Sequence, residues 1–242
     1  MQPVISFTDV AKQYNGREVL SSLSFTINKG DVVGILGPSG MGKTTILKLV
    51  SGLEKPSSGK VQINGAQIGY VFQEPRLFPW KTALENVVLP LKANGIAKGK
   101  RIGIGTHYLE VMGLAKFADY YPSQLSGGMK QRVSLARAFA IKPDVLLLDE
   151  PFSALDIKLR DYLLSMISDQ LKHHPMTLLY VSHSPKELAR IATRAFIMHS
   201  GHEMSEISVS ECETMESDSD ELFSSRPVTN NLVEGKCTTC TC

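Results

Sequence analysis

The first 202 residues contain no cysteine; Cys212, Cys237, Cys240 and Cys242 all lie beyond them. A disulfide-stapled body is excluded, and a reducing compartment is its natural setting. Long apolar runs are also missing. The longest, such as residues 145–148, have the length of a buried strand and fall far short of the roughly 18 apolar residues of a membrane span. Residues 1–10 lack a basic segment followed by an apolar one, so no secretory leader is expected. Work at a membrane would therefore require a partner chain.

Strong net charge is absent too, but only on average. The 242-residue chain carries a formal +2, whereas residues 1–202 hold 24 Lys+Arg against 15 Asp+Glu and residues 203–242 hold 2 against 9. A basic body precedes an acidic appendix. The appendix is rich in Ser and Thr and poor in aromatics, so it is expected to be disordered: it cannot bury enough apolar surface to offset its ordering entropy. Its Cys237-x-x-Cys240-x-Cys242 cluster, with Cys212 distant, is a poor closed zinc site.

Strand signals fall at residues 4–7, 23–27, 32–36, 145–148, 178–181 and 195–198, with an Asn15-Gly16 turn between the first two. Residues 60–63, Asn64-Gly65 and residues 66–72 read as a hairpin and a following strand. Helical spacing is expected at 44–53, 83–93, 105–112, 128–140 and 157–171, with residues 95–105 as a Gly/Lys-rich connector. Alternating strands and helices imply an α/β fold with a parallel sheet covered by helices. The helical section at about 75–142 has the character of an insertion.

Gly37-Pro38-Ser39-Gly40-Met41-Gly42-Lys43-Thr44 fits the phosphate-loop pattern G-x-x-x-x-G-K-[ST] between a predicted strand and a predicted helix, the context that gives the pattern meaning. Its glycines let backbone N–H groups converge on an anion, and the helix N-terminus adds partial positive charge. Lys43 would reach the β- and γ-phosphates, Thr44 would ligate Mg²⁺, and Thr45 would support the turn. The apolar run 145–148 ends in Asp149-Glu150, at the sheet edge where α/β folds bind ligands. There Asp149 can hold Mg²⁺ and Glu150 can orient or deprotonate water.

Leu125-Ser126-Gly127-Gly128-Met129-Lys130-Gln131-Arg132 resembles the signature motif of ATP-binding cassette (ABC) ATPases. Further segments follow in that family's order. Tyr14 resembles the aromatic that stacks on adenine, and Gln73 in Val71-Phe72-Gln73 resembles the Q-loop glutamine. Pro151-Phe152-Ser153-Ala154-Leu155-Asp156 resembles the D-loop region, and His183 the switch histidine. The resemblance spans about residues 4–201. It implies a P-loop NTPase (RecA-like) core with an N-terminal antiparallel β-subdomain and an inserted α-helical subdomain, over residues 1–202, with the acidic tail at 203–242.

By the same resemblance, ATP and Mg²⁺ are the cofactors, with Thr44, Asp149 and Gln73 around the metal and Glu150, His183, Lys43 and Gln73 in catalysis. Two domains pair head to tail as a homodimer or with a related subunit, and Ser126-Gly127-Gly128 of one closes on the γ-phosphate in the other's cradle. The expected partners are integral-membrane permease subunits and a substrate-binding protein, not nucleic acid. The expected location is the cytoplasmic face of the membrane. Leu77-Phe78-Pro79-Trp80 is similar to the Leu-Leu-Pro-Trp type of nitrate, sulfonate and taurine importers. The alternative is a non-transport or exporter-associated ABC ATPase, of the assembly or lipoprotein-release type. Two departures stand out: the stretch at 60–72 is short, implying a trimmed antiparallel lobe, and Ser184 follows His183 where the family commonly has Asp.

Overall fold

The computed structural model describes residues 2–153, 155–199 and 203–215. Two sheets organise them. Strands β1 (Pro3–Tyr14), β2 (Arg17–Asn28) and β4 (Ser58–Ile63) form an antiparallel sheet in the order β2-β1-β4. Asn15, at φ 50°, and Gly16 make the β1–β2 turn, so the strands run far longer than their apolar centres.

The second sheet has the order β5-β6-β7-β3-β8-β9, with β3 (Val32–Leu36), β5 (Ile68–Val71), β6 (Val145–Asp149), β7 (Thr177–Ser182), β8 (Arg194–Met198) and β9 (Met204–Ile207). All its pairings are parallel except β8–β9. Strands β3, β6 and β7 are buried throughout, which explains their unbroken apolar runs: both faces are covered. Alternation splits β6 between two cores. Leu146 and Leu148 pack with helices α2 (Ala83–Ala93), α3 (Lys98–Val111), α4 (Gly127–Ala140) and α5 (Ile157–His173). Val145 and Leu147 pack with α1 (Lys43–Val50) and the antiparallel sheet.

Four expectations are corrected. Asn64-Gly65 is not a hairpin turn: Asn64 donates to the carbonyls of Val4 and Pro3, closing the β1–β4 pair, and the chain crosses to place β5 beside β6. The Gly/Lys-rich connector is mostly helix, because α3 starts at Lys98. Tertiary packing overrides glycine's low propensity there: a Cβ at Gly105 would lie 2.6 Å from Val88 Cγ1, so glycine is what lets α3 approach α2. The first helix stops at Val50 rather than residue 53. A short helix, α6 (Pro185–Ala189), follows β7 where none was predicted.

The tail boundary also moves. Disorder was expected from Glu203, yet β9 pairs with β8, and α7 (Val209–Thr214) is closed by a Ser208–Glu211 capping box. Met204, Ile207, Cys212 and Met215 supply enough apolar surface to dock these elements, with Cys212 fully buried and Met215 in the main core. Residues 216–242, including Cys237, Cys240 and Cys242, lie outside the described residues, as does Ala154.

Candidate active site

β3 runs between β7 and β8 in the middle of the parallel sheet, and the loop at 37–42 leaves its carboxyl end to enter α1. Gly42 sits at φ 90°, and a Cβ there would come within 2.9 Å of Leu20 Cδ2 and 3.0 Å of the Val19 carbonyl oxygen. Backbone and neighbours both require glycine. No acidic residue of α1 itself occupies its first turn, so the helix presents its positive end to the loop.

The Lys43 side chain is 4% exposed. Its ammonium donates to the carbonyls of Gly37 (2.5 Å) and Pro38 (2.7 Å) and pairs with Glu150 at 3.3 Å. Burial pushes its pKa down, while the charges of Glu150 and Asp149 pull it back up. Beside it, Thr44 Oγ1 donates to Asp149 Oδ1 at 2.8 Å, and Tyr70 donates to Asp149 Oδ2 at 3.1 Å. Burial pushes the Asp149 carboxyl up against these two hydrogen bonds, and Glu150's charge pushes the same way.

Glu150 follows the end of β6 at φ 42°, a left-handed conformation that costs a non-glycine residue energy. Its N–H donates to the Val181 carbonyl, and the Glu150 carbonyl accepts from both the N–H and the Oγ of Ser153. Because Asp149 and Val181 are in register across β6 and β7, the ends of the two strands bring Glu150, one residue on, beside His183, two residues on. Glu150 Oε2 lies 3.2 Å from His183 Nδ1.

An open cavity of about 420 Å³ is lined by Tyr14, Val19, Ser39, Gly40, Gly42, Lys43, Thr44, Thr45, Gln73 and Glu150. Gly37, Pro38, Met41, Asp149 and His183 do not line it; Gly37, Pro38, Asp149 and His183 touch lining residues. The Lys12 ammonium covers one face of the Tyr14 ring, 4.7 Å from its centroid. The hydroxyl of Thr44, the carboxylate of Asp149 and the amide of Gln73 make a hard, all-oxygen donor set suited to Mg²⁺. The loop amides and Lys43 suit a triphosphate.

Ser126, Gly127 and Gly128 stand apart from this cavity. Ser126 caps α4 by accepting from Met129 N–H at 3.3 Å, and Ser126 and Gly127 are exposed. Gly128 packs against α5, where a Cβ would meet Leu159 at 2.8 Å.

Sequence reasoning missed three residues. Tyr70 holds Asp149 and stacks on Phe72, with ring centroids 4.0 Å apart. Gln131 donates to the Phe72 carbonyl, and Arg137 donates to the carbonyls of Pro75 and Arg76 at 2.9 Å each. The backbone on both sides of Gln73 is thus held by α4. The only signal was a polar stripe, Gln131, Ser134 and Arg137, on a helix otherwise apolar along its buried side.

The sequence profile of the ABC transporter family matches residues 20–153. An ATP-binding protein of Brucella abortus is 39% identical over 205 residues, covering 82% of this chain and 79% of its own. A sulfate/thiosulfate import ATP-binding protein of Chlorella vulgaris is 40% identical over 210 residues, 81% of this chain and 88% of that one. Among solved structures, a dimeric ATP-binding cassette in a post-hydrolysis state with ADP and Pi superposes with a TM-score of 0.79 at 30% identity, covering 85% of this chain and 98% of that one. Cradle, strand-end carboxylates and relatives agree: the chain belongs to the ABC transporter family, as an ATP-binding subunit that hydrolyses ATP.

Proposed function

We propose that the chain drives import of a small solute through partner permease subunits, at the cytoplasmic face of a membrane. Among the described residues no helix is long and apolar enough to cross one, and this reading gives the path for cargo to the permease subunits. Relatives named for sulfate/thiosulfate and methionine import support import over export. The cargo we favour is a small anion such as nitrate, a sulfonate or taurine, delivered by a substrate-binding protein. The wording Leu77-Phe78-Pro79-Trp80 supports that choice.

In this reading two copies, or this chain and a related subunit, pair head to tail. Ser126, Gly127 and Gly128 of one complete the site of the other, which fits the exposure of Ser126 and Gly127 away from their own cavity. Mg²⁺ held by Thr44, Asp149 and Gln73 would neutralise phosphate charge. Lys43 releases the Glu150 carboxylate to bind the β- and γ-phosphates. Glu150, once free of that pair, orients the attacking water and takes its proton, and His183 steadies the γ-phosphate. Tyr14 stacks on adenine.

The observation that carries the transport reading is the loop after Gln73. Trp80 is 69% exposed and Phe78 is 38% exposed, with their rings edge to face. Buried Asn86 fixes them by accepting from Phe78 N–H and donating to the carbonyls of Phe78, Lys81 and Thr82. A rigid aromatic platform tied to a nucleotide-sensing glutamine suits a helix of a membrane partner. The test is co-purification of the tagged chain with a permease from membranes, before and after Trp80→Ala. Retained capture and undiminished cargo-stimulated ATP turnover in the variant would overturn it.

A further inference from the structure

Glu187, on α6, is 6% exposed, and the chemistry above makes no use of it. Both oxygens of its carboxylate are nonetheless hydrogen-bonded. Oε2 accepts from the Tyr180 hydroxyl and from Ser182 Oγ at 2.8 Å; Oε1 pairs with Arg160 at 2.8 Å. Tyr180 and Ser182 are two apart on β7 and so face the same side of the sheet, while His183 follows directly. Ser182 Oγ also accepts from the Ser184 N–H at 3.0 Å. The residue before His183 thus carries a hydroxyl that binds the backbone of the residue after it, and that hydroxyl donates to Glu187.

Arg160 brings in the other end of the site. It lies one turn into α5, its N–H bonded to the carbonyl of Asp156, whose side chain caps that helix through Leu159 N–H at 3.0 Å. A buried carboxylate thus joins the start of α5, where the segment from Glu150 arrives, to the turn that carries His183. Burying a carboxylate is costly unless it is paired and hydrogen-bonded, and here three donors from two elements serve it. A group arranged in this way holds a fixed geometry rather than simply filling space.

We propose that Glu187 is the positioning residue for His183, setting its distance to Glu150 and coupling it through Arg160 to the Asp156 end of α5. The proposal rests on the role given to His183, and the two fail separately. His183→Ala tests the histidine; Glu187→Gln tests its support. Gln keeps the volume but has one oxygen where Glu has two, so an amide N–H₂ must replace the oxygen facing either Arg160 or the two hydroxyls.

The full chain would be assayed for Mg-ATP turnover, for ATP affinity, and by NMR of ¹⁵N-labelled histidine rings, with the His183 signal assigned by its loss in His183→Ala. Misplacement of a reacting group by a fraction of an ångström predicts a kcat about tenfold lower in Glu187→Gln and about threefold lower in Ser182→Ala. The His183 ring signal should shift in both, ATP affinity should stay within about twofold of the parent, since the cradle is untouched, and Glu187→Asp should recover part of the lost rate. A merely structural role would lower thermal stability while leaving kcat per folded molecule and the ring signal unchanged, and that result overturns the proposal. If Glu187→Gln does not fold, Ser182→Ala decides: a parental kcat and an unmoved His183 signal overturn the proposal, and a slowed kcat with a shifted signal supports it. Parental turnover in His183→Ala would instead sink the assigned role of the histidine.

Discussion

Replacing Glu150 by Gln tests the centre of the site because it should act in opposite directions with and without nucleotide. In the structure the Glu150 carboxylate, 13% exposed, faces the Lys43 ammonium at 3.3 Å. At an effective dielectric near 20 that separation corresponds to about 5 kcal/mol of gross attraction. Most of it is offset by the desolvation of two charges. The glutamine oxygen still accepts from Lys43, which also keeps the carbonyls of Gly37 and Pro38. The net loss should be about 1–2 kcal/mol, or about 2–8 °C in melting temperature for a domain of this size. Adding Mg-ATP should reverse the order. The neutral amide neither repels the γ-phosphate nor activates water, so the variant should gain more thermal stability from ATP than the parent and accumulate as an ATP-bound pair. Turnover should fall by about 10²–10⁴. Scanning calorimetry with and without Mg-ATP, size-exclusion chromatography and phosphate release check each part. Parental turnover in the variant would refute Glu150 as base, and a higher nucleotide-free melting temperature would refute the Lys43 pairing as a stabilising contact.

Three further substitutions have definite outcomes. Gly42→Ala forces a Cβ against Leu20 and Val19 at φ 90°, so ATP binding should be lost and the chain destabilised by about 1–3 kcal/mol, read by nucleotide titration and thermal melts. Asp149→Asn should abolish turnover yet stabilise the nucleotide-free chain by about 0.5–2 kcal/mol. Burial holds the Asp149 pKa above its ordinary value, so its contribution to folding is present at low pH and lost as pH rises through the folded-state pKa. The stability gap between parent and variant should therefore open as pH climbs from the acid range toward neutrality and close below it; a gap that widens toward acid contradicts the assignment. Gly127→Ala adds a Cβ that meets nothing within 4 Å, so the single chain should keep its stability and ATP affinity while turnover drops, and loss of ATP binding by the single chain would contradict a site completed in trans.

Much of the fold was legible because the sheet is buried on both faces. Residues 32–36 and 145–148 have to be apolar throughout, so their limits show in sequence to within a residue. What failed depended on partners distant along the chain. Residues 68–71 give the same strand signal whether they return beside 60–63 or cross to β6, and only the Asn64 bonds to Pro3 and Val4 decide it. Glycine at 99, 103 and 105 argues locally against a helix, but α2 leaves room for nothing larger at Gly105. In the appendix, average composition concealed four apolar residues at spacings that dock β9 and α7.

The site was legible for a different reason, and that reason marks its limit. Phosphate binding constrains consecutive residues, so the cradle appears as a pattern, and Asp149-Glu150 appears because a strand end fixes where carboxylates project. Groups that hold these residues in place answer to no such local constraint. Tyr70, Gln131, Arg137 and Glu187 are polar residues on buried elements, and each is ambiguous until its acceptor or donor is known. The resulting architecture nevertheless has a common logic. Asp149 is held by Tyr70 from the strand leading to Gln73, Gln73 is flanked by carbonyls tied to α4, and α4 begins with the exposed Ser126-Gly127 that would face a second chain. The Asp149 end of the site and the backbone around Gln73 are therefore both anchored by polar side chains, Tyr70 on one side and Gln131 and Arg137 of the helix that begins at Ser126 on the other.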